Sequence, residues 1–322
     1  MKRIEDLWRD AGIGEAIPLS VCPVRLGEKN KVHIAALGDV GTTLLLGLRL
    51  LGGDVISQIG IFDMNGANME RLEMEMNQIS YPDGEPKLPP VKCIRQEEVF
   101  QCDVFVFCAS KGVPPLGSSG DVRMAQLAAN REIAAHYGRL AASADFRGLA
   151  AVVSDPVDPL CKTFWEKSGL HPAQIQGYGL GVMNARARYF AQRDQRLRQY
   201  IEEGRAFGPH GEDLVIADSI ACYNDGLSAE LTKKTVEANV AVRELGFKPY
   251  IAPAMSSAAL SILLTLRGDW HYGSIYLGDQ RDGAFFGVRN RMTEEGPVYE
   301  DLPLCEELFA RLQRAYDNLR RL

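Results

Sequence analysis

The sequence predicts an α/β protein with a doubly wound parallel sheet followed by an α+β domain. Segments with strand and helix patterns alternate from Lys31 to about residue 170. Two of the strand segments, "CDVFVFCAS" and "LAAVVSD", are continuous apolar runs, which is typical of strands buried on both faces. Such alternation implies parallel strands joined by right-handed crossovers.

The elements of the first half follow in chain order. Residues 1–30 are expected to form an N-terminal extension with a short helix. The predicted strands after it are "KVHIAAL", "DVISQIGIFD", "VKCIR" and the two apolar runs. The predicted helices are "TTLLLGLRLL", "NMERLEMEMNQI" and the long "DVRMAQLAANREIAAHYGRLAASA".

The second half of the chain has a different order of predicted helices and strands. We expect a long helix over 185–203, a strand in "LVIADSIACYN", helices near 227–245 and 254–267, an antiparallel pair "SIYLG" and "AFFGVRN", and a C-terminal helix. A boundary near residue 170 therefore divides the chain into 1–30, 31–170 and 171–322.

Composition narrows the class of protein. The 322 residues are 46% hydrophobic and 24% charged, with a net charge of −6, so no nucleic-acid partner is expected. No apolar run reaches 18 residues and the N-terminus lacks a signal-peptide core, so no membrane association is expected. The seven scattered cysteines contain no CxxC, which favours reduced thiols in the cytoplasm, and no metal site is indicated.

The stretch "IAALGDVGTTLLLG" lies where a phosphate-binding loop belongs. Gly38 and Gly41 fill the second and third positions of G-x-G-x-x-G, with Asp39 and Val40 between them, while Ala36 holds the first position. Alanine there is acceptable if its φ stays negative. A pyrophosphate would rest on the amides of the helix N-terminus.

Asp63 ends the second strand, where an acid accepts a hydrogen bond from a ribose 2′-hydroxyl and repels a 2′-phosphate. The pattern therefore favours NAD over NADP. The alternative is a strand–helix turn with two packing glycines and a helix-capping aspartate.

Several motifs in one order resemble the lactate/malate dehydrogenase family: "LGDVG", "IFD", "GVPP…VRMAQLAANREI", "VVSDPVDPL", "GYGLGVMNARARYF" and "FGPHGED". The likeness runs from about residue 31 to the C-terminus. It implies a Rossmann-type NAD-binding half, a substrate-binding second half, and hydride transfer between nicotinamide and a 2-hydroxy or 2-oxo acid. It also implies a homodimer or homotetramer.

The resemblance assigns roles residue by residue. His210 matches the catalytic histidine, Arg186 the arginine that holds the substrate carboxylate, and Arg123 the mobile-loop arginine. The cofactor contacts are expected to include Ala109 and Ser154, which end two strands. Asn130 also matches a family asparagine, with hydrogen bonding on the helix surface as the alternative.

The sequence departs from the family inside the expected active site. Met183 stands where the family has the aspartate that holds the histidine, and Asp155 replaces the asparagine of "SNPVD". Our hypothesis is that Asp155 lies near His210 and supplies the missing carboxylate. Pro115 offers no charge for a second substrate carboxylate, and Ser256 and Ser257 are weak candidates for the family's hydroxyl contact.

Three functions remain open from the sequence. The first is an NAD-dependent 2-hydroxyacid dehydrogenase. The second is a catalytically silent or regulatory dinucleotide-binding protein, which Ala36, Met183 and Asp155 favour. The third, an NAD-dependent glycosidase, would need metal ligands that the sequence does not present.

Overall fold

The computed structural model describes residues 1–111 and 122–322, with the backbone alone described for residues 122–125. In these ranges nine strands form one sheet in the order β11-β10-β9-β6-β5-β4-β1-β2-β3. The pairs from β3 to β6 are parallel, and β9, β10 and β11 continue the same sheet with antiparallel pairing. The parallel part has the strand order 3-2-1-4-5-6 of a Rossmann fold.

The strands have the following bounds. Those of the large sheet are β1 (Asn30–Ala35), β2 (Ile56–Phe62), β3 (Val91–Cys93), β4 (Val104–Phe107), β5 (Leu149–Val152), β6 (Ile175–Gly177), β9 (His271–Gly278), β10 (Gly283–Thr293) and β11 (Gly296–Tyr299). A separate antiparallel pair is formed by β7 (Arg205–Phe207) and β8 (Val215–Ala217).

The helices have the following bounds. They are α1 (Asp6–Asp10), α2 (Asp39–Leu51), α3 (Gly66–Gln78), α4 (Val122–Ser143), α5 (Val157–Ser168), α6 (Leu180–Ala191), α7 (Tyr200–Glu203), α8 (Asp225–Glu244), α9 (Leu260–Arg267) and α10 (Glu306–Arg320). A π-helical segment, Pro253–Ala259, runs directly into α9.

Helices cover both faces of the sheet. On one face α2, α3 and α9 bury apolar side chains such as Leu44, Leu72 and Ile262 against the strands. On the other face α4 and α5 contribute Tyr137 and Phe164. Since both faces are covered, the parallel strands are apolar throughout, as their sequences indicated.

The predicted N-terminal extension packs onto the second half of the chain. Ile4 and Leu7 are fully buried in an apolar cluster with the C-terminal helix α10 and strands β9 and β10. Lys2 also forms an isolated bridge with Leu304. The first residues are therefore part of the fold rather than a loose arm.

One expectation about the second half is corrected. The helix predicted over 185–203 is instead α6 followed by the short α7, with a break at Asp194, whose side chain caps a new turn by accepting from the Arg196 amide at 3.0 Å. The predicted antiparallel pair is confirmed as β9 and β10, which extend the main sheet. Strand β6 lies just beyond the boundary predicted near residue 170, which stays a prediction.

Candidate active site

The segments that carry the predicted site follow parallel strands of the sheet. The loop at Gly38 follows β1, Asp63 follows β2, Ala109 follows β4, and Asp155 follows β5. Because carboxyl ends of parallel strands share one edge, these residues gather at the crevice where such folds bind ligands.

The phosphate-loop motif makes a tight turn around a close contact. A Cβ at Gly41 would lie 2.1 Å from the carbonyl oxygen of Ala36, so this position requires glycine. Among the described residues, no heavy atom lies within 4 Å of the position that a Cβ at Gly38 would take, so this face is open to a ligand. Ala36 has a φ of +75°, so the condition of a negative φ is not met, and the turn carries strain of about 1–2 kcal/mol.

The first turn of α2 and the end of β2 meet at this loop. Asp63 accepts a hydrogen bond from the Leu37 amide at 2.6 Å and one from the Asn65 amide at 2.9 Å. The structure thus places the acid beside the loop, as a ribose-binding role requires. Both bonds also serve the strand–helix turn, but the residue that caps α3 is Asn65, whose side chain accepts from the Asn68 amide, and not Asp63.

Asp39 and Val40 begin α2, where amides lack intrahelical partners. The Asp39 carboxylate would oppose a bound pyrophosphate, but Lys248 Nζ lies 2.9 Å from its Oδ2 and offsets that charge. The residues of this loop therefore fit a dinucleotide: an open glycine face, free amides and a neutralised acid.

Ala109 and Ser154 contact each other between the ends of β4 and β5. The Ser154 hydroxyl donates to the Ala109 carbonyl at 2.7 Å, and Ser154 is buried. The hydroxyl is thus occupied within the protein. The two residues thus join the ends of neighbouring strands.

His210 sits at the centre of a tight turn after β7. The Gly211 amide donates to the Pro209 carbonyl at 2.9 Å, which folds the chain around the histidine. A Cβ at Gly179 would lie 2.9 Å from His210 Cβ, so glycine in "GYGLG" lets the ring pack against the start of α6. The histidine side chain is 10% exposed.

The imidazole of His210 is paired with Asp155. His210 Nδ1 lies 2.9 Å from Asp155 Oδ1. The Nε2 atom is buried and has no hydrogen-bond partner among the residues described. With Nδ1 protonated and donating to the carboxylate, Nε2 carries the lone pair and can accept a proton.

Asn130 holds the backbone at Asp155 and at Lys111. The side chain is fully buried; it donates to the Asp155 carbonyl at 2.7 Å and accepts from the Lys111 amide at 2.9 Å. It thus ties the chain after β5 to the chain after β4. A role on the helix surface, the alternative considered above, does not fit a buried side chain.

Arg186 lies on α6, near the same carboxylate. Burial lowers its pKa, and the negative charge of Asp155 acts in the opposite direction. Its Nη1 contacts Met183 Sδ at 3.6 Å, and its Nη2 donates to Asn239 Oδ1 on α8. His210, Asp155 and Arg186 are therefore brought together, while buried Met183 takes the place of the family's acid.

A second carboxyl group, Asp158, is buried close to the pair. It accepts from the Ser274 hydroxyl on β9, and burial raises its pKa to about 6 despite that hydrogen bond and the nearby His210. Neither Asp158 nor Asn239 was predicted from the sequence. In "SDPVD" Asp158 follows Asp155 by three residues, in the first turn of α5, and this closeness in sequence is the signal that could have found it.

Three other candidates from the sequence are not among the described residues of the site. Pro115 lies outside the described residues, as does the side chain of Arg123. Ser257 is buried between the Gly179 carbonyl, to which it donates at 2.6 Å, and the Val182 amide, from which it accepts at 2.8 Å. It caps α6 and does not offer its hydroxyl to a substrate.

The chain is similar to characterised dehydrogenases in sequence and fold. Residues 30–177 match the family model described as lactate/malate dehydrogenase, NAD binding domain. An L-lactate dehydrogenase of Treponema denticola is 26% identical over 60% of this chain, and the match spans 58% of that enzyme's length. An L-lactate dehydrogenase of Kosmotoga olearia is 24% identical over 75% of this chain and 77% of its own.

Among solved structures, the minor L-lactate dehydrogenase of Enterococcus mundtii superimposes with a TM-score of 0.75 at 21% identity, covering 91% of this chain and 97% of that one. This likeness confirms the predicted fold. In the part of the chain that the structure describes, no helix is long and apolar enough to cross a membrane. Taken with the phosphate loop and the order of the motifs, these matches show that residues 30–177 are an NAD-binding domain of the lactate/malate dehydrogenase family.

Proposed function

We propose that this protein is an NAD-dependent oxidoreductase that transfers a hydride between nicotinamide and a 2-hydroxy or 2-oxo acid. The observation that carries the proposal is the 2.9 Å contact between His210 Nδ1 and Asp155 Oδ1, which leaves Nε2 as a buried proton acceptor. A chain that only binds dinucleotide has no chemical need for an imidazole held in this way.

In this proposal, His210 transfers the proton of the substrate hydroxyl and Asp155 supports the histidine. In the oxidative direction Nε2 takes the proton of the substrate hydroxyl, while Asp155 stabilises the imidazolium that forms and fixes the tautomer. In the reductive direction Nε2 returns that proton to the developing alkoxide. Bound NAD supplies the hydride acceptor, and its reduced form supplies the hydride donor.

Arg186 holds the substrate. Its planar guanidinium can make two parallel hydrogen bonds to the carboxylate, which fixes the 2-carbon relative to His210. Its partial burial strengthens this attraction compared with a solvated pair. We assign Arg123 the family's role of polarising the carbonyl oxygen of the substrate.

The cofactor is assigned to the loop after β1. Gly38 allows the pyrophosphate to approach the backbone, and Gly41 allows α2 to pack closely against the loop. The amides of Asp39 and Val40 receive the pyrophosphate, and Asp63 accepts from the adenosine ribose. Ser154 and Ala109 form the floor beneath the nicotinamide. An acid at Asp63 disfavours a 2′-phosphate, so NAD is preferred to NADP.

A catalytically silent dinucleotide-binding protein is the second candidate. It is favoured by Met183, because a thioether cannot stabilise an imidazolium as the family's aspartate does, and by the strained φ of Ala36. The His210–Asp155 pair argues against it, since it supplies a carboxylate from the other side.

The test is NADH oxidation by the purified protein with a panel of 2-oxo acids of different side chain, with His210→Asn as the control. Turnover with one acid that disappears in His210→Asn supports the dehydrogenase. Tight NADH binding without turnover on any acid would establish the silent protein instead. Absence of both would contradict the cofactor assignment as well.

We also propose a cytoplasmic homodimer or homotetramer. All seven cysteines are free thiols, which suits a reducing compartment. Exposed leucines on α2 (Leu46, Leu50) and α9 (Leu260) lie on helices that pack through the π-helical segment, and such an apolar surface suits a subunit contact. Light scattering on the eluted protein measures the subunit number.

A further inference from the structure

Asn239 on α8 contacts the guanidinium that we assign to the substrate carboxylate. Its Oδ1 accepts a hydrogen bond from Arg186 Nη2. Helices α6 and α8 are held together by this contact and by buried apolar side chains. The packing of α8 therefore determines where Asn239 meets the arginine, although the two residues are far apart in sequence. The inference below rests on the proposed function.

The remaining contacts of Arg186 cannot orient it. Met183 Sδ, at 3.6 Å from Nη1, is a weak acceptor. Asp155 acts on Arg186 through its charge, but its Oδ1 is engaged by His210. The amide oxygen of Asn239 is thus the strong neutral acceptor that sets the plane of the guanidinium.

The amide nitrogen of Asn239 is available to a ligand. Nδ2 donates to none of the residues that the structure describes, and the side chain is partly exposed. An amide whose oxygen faces a guanidinium directs its nitrogen beside the same group, toward an acceptor held there. A carboxylate on Arg186 offers such an acceptor, because each of its oxygens has two lone pairs.

We propose that Asn239 is a substrate-positioning residue: its oxygen orients Arg186, and its nitrogen donates to the carboxylate of the bound 2-oxo acid. The neutrality of this amide preserves the full charge of Arg186 for the substrate. An acid at the same place would pair with Arg186 and compete with the substrate. The site therefore selects the carboxylate head group through a guanidinium and an amide together.

The experiment measures binding apart from turnover. Oxamate, a non-reducible isostere of a small 2-oxo acid, is titrated into the NADH complex of the wild type, Asn239→Ala and Asn239→Asp, and KM and kcat are measured with the best acid of the panel. Glu237→Gln, an exposed position on the same helix, is the matched control.

We expect Asn239→Ala to raise the oxamate Kd and the KM by roughly 10- to 100-fold, the worth of a hydrogen bond to a charged group, with a smaller change in kcat. Asn239→Asp should weaken oxamate further, while NADH affinity stays at the wild-type value in both. An oxamate Kd within twofold of wild type in Asn239→Ala overturns this inference and leaves the dehydrogenase proposal standing if the wild type turns over. Failure of the wild-type NADH complex to bind oxamate or any 2-oxo acid overturns both.

Discussion

His210 and Asp155 come from opposite halves of the chain and meet with Nδ1 2.9 Å from Oδ1. The acid follows β5 of the parallel sheet, whereas the histidine follows β7, so the contact joins two segments that are distant in sequence. In the family the corresponding carboxylate lies on the helix of the substrate arginine, three residues before it. Here that position is Met183, and the carboxylate has changed its place in the fold.

The first prediction concerns this exchange. Asp155→Asn should lower kcat by about 10²–10⁴, because the amide no longer stabilises the imidazolium or fixes its tautomer. Adding Met183→Asp should restore part of the loss by returning a carboxylate to the helix. Steady-state kcat for both variants gives the answer.

The control for these two variants is Asp213→Asn, in the turn that contains His210. The Asp213 carboxylate accepts from Asn318 at 3.0 Å, so its loss should leave kcat nearly unchanged. Wild-type turnover by Asp155→Asn would contradict the pairing of Asp155 with His210 in catalysis.

A second prediction concerns the planar guanidinium of Arg186. Arg186→Lys keeps the charge but cannot make two parallel hydrogen bonds, so we expect KM for the 2-oxo acid to rise by about 10- to 100-fold, as for a lost charge-assisted hydrogen bond. Arg188→Lys on the same helix is the matched control, because Arg188 is exposed and donates to the Ile201 carbonyl. Equal KM values for the two variants would argue against a carboxylate at Arg186.

The sequence predicted most of the sheet but not the whole site, for physical reasons. Buried parallel strands are continuous apolar runs, so β4 and β5 are visible without a structure. Strands β6 (IQG) and β7 (RAF) were missed because neither is an apolar run, whereas the equally short β8 (VIA) is one. The break between α6 and α7 depends on one capping residue, Asp194, within a pattern that stays amphipathic.

Within the site, the residues with family motifs were predictable and their partners were not. His210 and Arg186 are recognised from neighbours in sequence. Asn239 is distant in sequence from Arg186, and its role depends on how α8 packs against α6. The φ of Ala36 follows from the contact of its carbonyl with Gly41, which a motif alone cannot reveal.

The third prediction addresses that backbone strain. Ala36→Gly should stabilise the protein by about 0.5–1 kcal/mol, since glycine adopts a φ of +75° without a Cβ clash, less the entropy that glycine gains when unfolded. Urea unfolding measures the change. Ala310→Gly, at an exposed position of α10, should instead destabilise by about 1 kcal/mol. If both variants lose stability alike, the strain at Ala36 is absent.

The last prediction concerns pH and the buried carboxyl of Asp158. Burial raises its pKa to about 6 from a usual value of 3.8. The folded protein therefore keeps this proton up to a higher pH than the unfolded chain does. Between these two values the folded state binds more protons, and the free energy of unfolding must fall as the pH rises. The stabilising contribution of the neutral group is complete below pH 4 and is lost as the pH passes 6.

Asp158→Asn removes this titration while retaining an oxygen that can accept from Ser274. We therefore expect the variant to gain stability over the wild type as the pH rises from 4.5 to 7, by about 1–3 kcal/mol, with no further gain above pH 7.5. Urea unfolding of both proteins at each pH measures the difference. A difference that stays constant across this range would show that Asp158 is ionised throughout, and that its charge is balanced by groups such as His210 more fully than its burial indicates.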